Sequence, residues 1–374
     1  MTVMAFLVLL VVTWVWFLLP LLPALRELVA PSDAEPLTMV GQDAGDLTIF
    51  AEGFRNYLKR QLPDVMSLGM TPATPIAELP DGTPVVHLNG RPEVLSEVTS
   101  AERLVSHLVV TNGPVALPGG EMFLLEVYAR EDFHGGPDAV YRALLGEGDV
   151  HLGIRSSVLR WVHAEGNLTV DDGSTLSGRA SAVNVMRLGA GVRFSRVRAA
   201  RVVIGADDPP TPAIPGLLLT STMKLPRTAR RIRGFIRVEG DLDVPAGEAL
   251  SGTVVVTGSL RLGAAARIAG SVKVHGASSL ESRAVIDGSL VCRGDVVLHS
   301  SAQVIGPVIA EGEIQLHTGA AVGAPNHPAS VTAATVRCWP NVQVFGALSA
   351  RGDGRTVAGS GVREQATITQ APSA

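Results

Sequence analysis

Between residues 234 and 312, glycine falls at Gly234, Gly240, Gly252, Gly258, Gly270, Gly276, Gly288, Gly294, Gly306 and Gly312, and each of these numbers is a multiple of six. A short fixed period of this kind predicts a coil of near-identical rungs, each touching only its neighbours. The hexads join into an 18-residue unit that reads straight down the chain. GDLDVPAGEALSGTVVVT starts at Gly240, GSLRLGAAARIAGSVKVH at Gly258, GASSLESRAVIDGSLVCR at Gly276 and GDVVLHSSAQVIGPVIAE at Gly294, with a degenerate GEIQLHTGAAVGAPNHPA at Gly312. Apolar residues recur at the fifth place (Val244, Leu262, Leu280, Leu298, Leu316), the eleventh (Leu250, Ile268, Ile286, Val304, Val322) and the fifteenth (Val254, Val272, Leu290, Val308). Within a hexad the apolar places lie two apart, the alternation of a strand with one face inward. Glycine two residues before the first apolar place suits a corner that needs either positive φ or close approach of stacked backbones. The pattern predicts a parallel β-helix.

The register returns upstream in GDVHLGIRSSVLRWVHAE from Gly148, GNLTVDDGSTLSGRASAV from Gly166 and a looser NVMRLGAGVRFSRVRAAR from Asn184. Val150, Leu168 and Met186 share one column, and Val158, Leu176 and Phe194 another. The proline-rich residues 205–231 read as an insertion looped out of one long coil. After residue 324 the phase slips at PNHP, and VRCWPNVQVFGALSA (336–350) reads as a final, offset rung. The solenoid is therefore placed over residues 108–350, and the aperiodic tail 351–374 is expected to be disordered.

Length alone, 374 residues, would suggest two or three domains, but a coil replaces that with one rod. The net charge of −4 and the absence of a basic run argue against nucleic acid as a partner. Cys292 and Cys338 fall on inward columns, where a thiol acts as a small hydrophobe.

Residues 1–25 carry no charge and are long enough to cross a bilayer as a helix. A retained transmembrane anchor over 1–28 is expected, rather than a signal peptide, since no basic n-region precedes it. Arg26, Arg55, Lys59 and Arg60 all lie downstream, which places the body of the chain on the cytoplasmic side of a bacterial inner membrane. Residues 29–107 read as a linker and a small α/β region. In it Ile49, Phe50, Phe54, Tyr57, Leu58 and Leu62 fall near helical spacing, the pattern of a helix that covers the open edge of the first rung.

Chemistry is sparse. In the hexapeptide coils of acyltransferases, glycine directly follows the apolar column, whereas here it falls two places later (Val256 then Gly258, Ile268 then Gly270). His275, His299 and His317 sit at corners, and the stacked pair His299–His317 has no third histidine in its column, where Glu281 and Gly263 precede it. Asp207–Asp208 precede Pro209–Pro210, a turn signal. No catalytic, cofactor-binding or metal-ligating set is expected. Outward apolar residues are more informative. Val291 and Ile309 lie one rung apart, and the last rung adds Trp339 and Phe345, so these four are the candidates for self-association.

The run GDLDV…GSLRL…GSVKV…GSLVC…GDVVL…GPVIA…GEIQL within 240–316 resembles the bactofilins, polymer-forming bacterial cytoskeletal proteins. The resemblance implies a right-handed β-helix and nucleotide-free assembly through head-to-head and tail-to-tail contacts. It also implies a membrane-associated role in organising cell-envelope or cell-shape machinery, with self and envelope proteins as partners and Phe345 as the nearest counterpart of a terminal-rung phenylalanine. The expectation is a non-catalytic, membrane-anchored, self-associating scaffold; the alternative is an envelope-facing β-helix enzyme or glycan-binding protein.

Overall fold

A computed structural model describes residues 48–63, 66, 74–205, 209–210, 223–232 and 234–358, with nine further positions between 4 and 19. Residues Met1–Met39 form a compact unit of their own, and Val40–Ala374 carries the solenoid. The transmembrane helix expected over 1–28 is not found: among the described residues no helix is long and apolar enough to cross a membrane. The described positions there, Met4 to Trp16, are helical and exposed.

The remainder is an all-β parallel solenoid of the right-handed kind, about 13 turns in all. Its rungs have three sides, and the sequence columns are the inward columns of those sides. On the first face Val86, Val109, Val127, Leu144, Val162, Ala180 and Val197 all point inward. On the second run Phe123, Tyr141, Val158, Leu176 and Phe194, and on the third Val115, Phe133, Val150, Leu168, Met186 and Val202. Downstream of residue 234 the same three sides recur, through Ile236–Val254–Val272–Leu290–Val308, Leu242–Leu260–Ser278–Val296–Ile314 and Leu250–Ile268–Ile286–Val304–Val322.

The solenoid is not one coil with an insertion. A first coil winds up to the strand Arg193–Ile204. The chain then leaves, restarts at Phe235–Val238, and a second coil winds back until its last strand, Gln343–Thr356, pairs antiparallel with Arg193–Ile204. Two coils thus meet end to end, each by its C-terminal rung. All three sides take part: Val197 faces Leu348, Phe194 faces Gly354 and Val202 faces Val344. The hydrophobic core runs unbroken from Val86 to Ala350 through this junction. Thr356 locks the seam: its Oγ1 accepts from Val192 N at 2.8 Å and donates to Gly189 O at 2.6 Å. The residues 351–356, expected to be disordered, therefore form the closing strand, while 359–374 lie outside the described residues.

Residues 205–231 become the connection that carries the chain from the junction to the far end of the second coil. It is tied to the third face at both ends. Gln343 Nε2 donates to Pro210 O at 2.9 Å, and Met223 N donates to Ala249 O at 3.0 Å. These ties lie five strand steps apart, roughly 24 Å at the usual spacing, well within reach of 13 extended residues at ~3.3 Å each. Residues 211–222 between them, including much of the stretch read as an insertion, are outside the described residues.

Glycine keeps the beat for two reasons: Gly234, Gly240 and Gly252, at the start of the second coil, have positive φ of 95°, 88° and 115°, and from Gly258 onward a Cβ would strike the rung before. At Gly306 a Cβ would lie 2.7 Å from the Gly288 carbonyl carbon one rung earlier, and at Gly294 it would lie 2.7 Å from Gly276 O. Neither has positive φ; the requirement is close approach of stacked backbones. In these later rungs positive φ sits at another corner and is carried mainly by other residues: Ala265, Arg283 and Ser301, 18 apart, with φ of 55°, 60° and 60°. The aspartates that follow glycine also have a structural role. Asp241 Oδ1 accepts from Ser259 N at 2.7 Å and Asp295 Oδ1 from Glu313 N at 2.8 Å, so each satisfies a corner amide of the next rung.

The opening of the first coil is covered by Ile76–Glu78, antiparallel to Pro84–His87, and by the turn Pro92–Val98, whose Val94 and Leu95 join the core. The helix Ile49–Gln61 lies elsewhere than expected. It packs Ala51, Phe54, Leu58 and Leu62 on the outer side of the first face, against Val85, Leu108, Tyr128, Leu145 and Trp161. It clasps the flank and leaves the rung edge to the strands, while Ile49 and Phe50 remain exposed.

The junction is where single substitutions cost most. Leu348→Ala is expected to lower stability by about 2–5 kcal/mol, whereas Ile309→Ala, on the half-exposed outer face, costs about 1 kcal/mol or less; denaturant midpoints measure both. At Gly354 a Cβ would lie 2.5 Å from the Phe194 carbonyl oxygen and 2.6 Å from its ring. Gly354→Ala is expected to destabilise by about 1–3 kcal/mol, and a Phe194→Leu background should relieve only part of that, since the backbone carbonyl contact remains.

Candidate functional site

Each face has an outward ladder as well as an inward one, and these ladders are the surfaces on which function can act. On the third face the outward ladder runs Val203, Gln343, Ala321, Gln303, Val285, Arg267 and Ala249. Val203, Gln343, Ala321, Val285 and Ala249 are all buried, an unusual state for outward positions. The two ties of the connection sit at the ends of this ladder, at Gln343 and Ala249. Arg267 and Gln303, between the buried members, are half-buried.

The second face is polar and its cations are answered. Arg193, Arg355, Arg337, Gln315, Val297, Ser279, Arg261 and Asp243 follow one another in register. Arg193 and Arg355 reach Asp353 at 3.6 and 3.3 Å, Arg337 reaches Glu313 at 2.8 Å and Arg261 reaches Glu281 at 3.4 Å. A shallow groove of about 520 Å³ lies here, lined by Asp243, Ser259, Arg261, Ser279 and Asp295.

The first face divides. Its upstream half lies under the helix Ile49–Gln61, and its downstream part carries Arg179, Arg196, Ser349, Thr332, Ile309, Val291, Lys273, Val255, Arg237 and Arg230 in one unbroken register across the junction. Arg198 flanks Arg196. Arg196, Arg198, Arg230 and Arg237 are exposed and form no ion pair among the described residues. Arg179 packs over the Phe50 ring, 4.6 Å from its centroid. No carboxylate stands on this stretch of ladder.

Of the residues singled out for self-association, Val291 and Ile309 are adjacent in register and half-buried on that ladder. Trp339 is half-buried and stacks on His317, centroids 4.3 Å apart, which in turn stacks on His299 at 5.3 Å. Phe345 is 3% exposed, beneath Gly323 and beside the junction. Its rung is not an open end, because Arg193–Ile204 occupies that edge. The structure therefore separates Val291 and Ile309 from Trp339 and Phe345, and only the first two face outward together.

The basic cluster passed over in the sequence is Lys224, Arg227, Arg230, Arg231, Arg233 and Arg237, six cations within 14 residues and no acid. Counting charge over the whole chain hid it. A buried polar relay also went unread. His163 Nδ1 meets Ser181 Oγ at 2.8 Å and its Nε2 lies 3.4 Å from Glu165, while Arg55 of the helix bonds Glu147 at 2.8 Å and also Glu165. His163 and Ser181 stand 18 residues apart and are buried, so the trio is a strut between helix and coil, with Ser181 shielded from any substrate. Cys292 and Cys338 are free and buried; burial pushes the Cys338 thiol up to about 12, so it stays protonated. Among the described residues no three His, Cys, Asp or Glu side chains are grouped to hold a metal ion.

Burial lowers the pKa of His87, His163 and His317, the last also through the nearby His299. The unfolded chain therefore binds more protons than the folded one below the ordinary value of 6.5. Stability is fully present above that pH and is lost as pH falls through the folded values. The thermal midpoint is expected to fall between about pH 7 and about pH 5, and His163→Gln should flatten part of that slope.

No protein-family model, no curated protein and no solved structure matches the chain. What it can do has to be read from its own surfaces: two coils joined tail to tail, one face sealed, one neutralised and one left partly bare.

Proposed function

We propose that this chain is a non-catalytic scaffold, a rod that organises partners along its outer faces and associates with itself through one end only. The junction carries the proposal. In a solenoid, the end rungs offer unpaired strand backbone, the usual seat of end-to-end growth. Here both C-terminal rungs are paired with each other inside one chain, and the opening of the first coil is covered by Ile76–Glu78 and Pro92–Val98. In the first rung of the second coil, Phe235–Val238 is covered by Ala229–Ile232, but Leu242–Val244 pairs along one edge only among the described residues. The likeness of 240–316 to bactofilins supports a structural role, with the tail-to-tail contact of such assemblies built into a single polypeptide. The burial of both thiols and of the His163–Ser181 relay also favours a structural role.

Sedimentation and electron microscopy of the full chain, without nucleotide, test this. The expected result is a monomer–dimer equilibrium with no filaments, shifted to monomer by Asp243→Pro, which blocks the open edge. Filaments, or a chain that stays monomeric at all concentrations, would overturn it.

A further inference from the structure

The geometry points to the outward ladder of the first face, from Arg179 to Arg230, as a docking surface for an anionic lipid bilayer. Charge is the first reason. Arg196, Arg198, Arg230 and Arg237 are exposed with no ion pair among the described residues, whereas the arginines of the second face each have a carboxylate within 3.6 Å. Arg230 and Arg237 stand directly opposite each other on neighbouring strands. Like charges so placed destabilise the pair unless an anion joins them. At the neighbouring corner Glu311 is 4.0 Å from Arg293.

Shape and apolar content are the second reason. Ten strands in register extend the ladder over roughly 43 Å, a long surface on the side of a rod. Cations gather at its two ends, and half-buried Val291 and Ile309 lie between them. Ile232, 38% exposed, shares the outer side with Arg230. Cations beside shallow apolar side chains match the phosphate and glycerol layers of a bilayer.

Other occupants fit less well. A second copy laid on this face would oppose arginine with arginine. A nucleic acid backbone along the ladder would cross roughly 24 Å between Arg196 and Lys273 with no cation beneath it. The proposal is independent of the self-association described above, which concerns an end and not a flank.

Co-sedimentation of the full chain with vesicles tests it, using equal phosphatidylglycerol and phosphatidylcholine against phosphatidylcholine alone. Binding to phosphatidylcholine alone measures any contact that charge does not drive, so the difference between the two vesicles reports the ladder. Wild type is expected to prefer anionic vesicles and to lose that preference at high salt. Arg196→Gln, Arg198→Gln, Arg230→Gln and Arg237→Gln together should cut binding to anionic vesicles about a hundredfold or more, at roughly fivefold per cation. The control makes the same change in net charge on the second face: Arg193→Gln, Arg261→Gln, Arg337→Gln and Arg355→Gln. It should retain most of the binding. Equal loss in both variants, no preference for anionic lipid, or binding to duplex DNA in place of vesicles would each overturn the proposal. A thermal transition near that of wild type shows that the quadruple variant is folded.

Discussion

The antiparallel pairing of Arg193–Ile204 with Gln343–Thr356 is the contact on which the rest of the molecule depends. A parallel coil ends in three rows of unpaired amides and carbonyls, one for each side, and an apolar cross-section open to water. Two such ends can satisfy each other only if the coils approach from opposite directions. That requires the chain to leave the first coil, run the length of the second, and wind back. The connection, the buried third face and the seam at Thr356 all follow from this requirement. So does the continuity of the core, since Val197, Val202 and Phe194 meet Leu348, Val344 and Gly354 as one rung meets the next.

The same logic accounts for the outer faces. A β-rung alternates, so each inward residue has outward neighbours that either find cover or meet water. Where cover exists, the outward residues are apolar: Val285 and Ala321 on the third face, Tyr128, Leu145 and Trp161 under the helix. Where no cover exists, polar and charged residues appear, and on the second face they neutralise one another across rungs. The bare stretch of the first face departs from both patterns, with arginines unpaired and Val291 and Ile309 at its centre.

Most of the rung was legible in the sequence. The columns at the fifth, eleventh and fifteenth places are hydrogen-bonded neighbours in register, as are Val150–Leu168–Met186 and Val158–Leu176–Phe194. Other features were misread for identifiable reasons. The helix Ile49–Gln61 has an apolar stripe that announces a contact, but a stripe does not say whether it meets an edge or a flank. Residues 205–231 break the period in the same way whether they leave one coil and return to it or link two coils. Uncharged residues 1–25 satisfy a hydropathy criterion without forming, among the described positions, a helix of membrane-crossing length. Arg230 and Arg237 lay in plain view, but only the hairpin sets them side by side.

The sequence by itself determined the rung: its 18-residue period, its three inward columns, and glycine where a Cβ would strike the backbone of the rung before. These are local matters, repeated at every turn, and periodicity reports them directly. The tertiary structure decided direction and ending. Whether two runs of rungs stack as one rod or meet tail to tail depends on which edges pair, and backbone hydrogen bonding at an edge leaves almost no mark on side-chain identity. Gly354, where a Cβ would strike both the carbonyl and the ring of Phe194 across the seam, is the rare place where that decision is written in a residue.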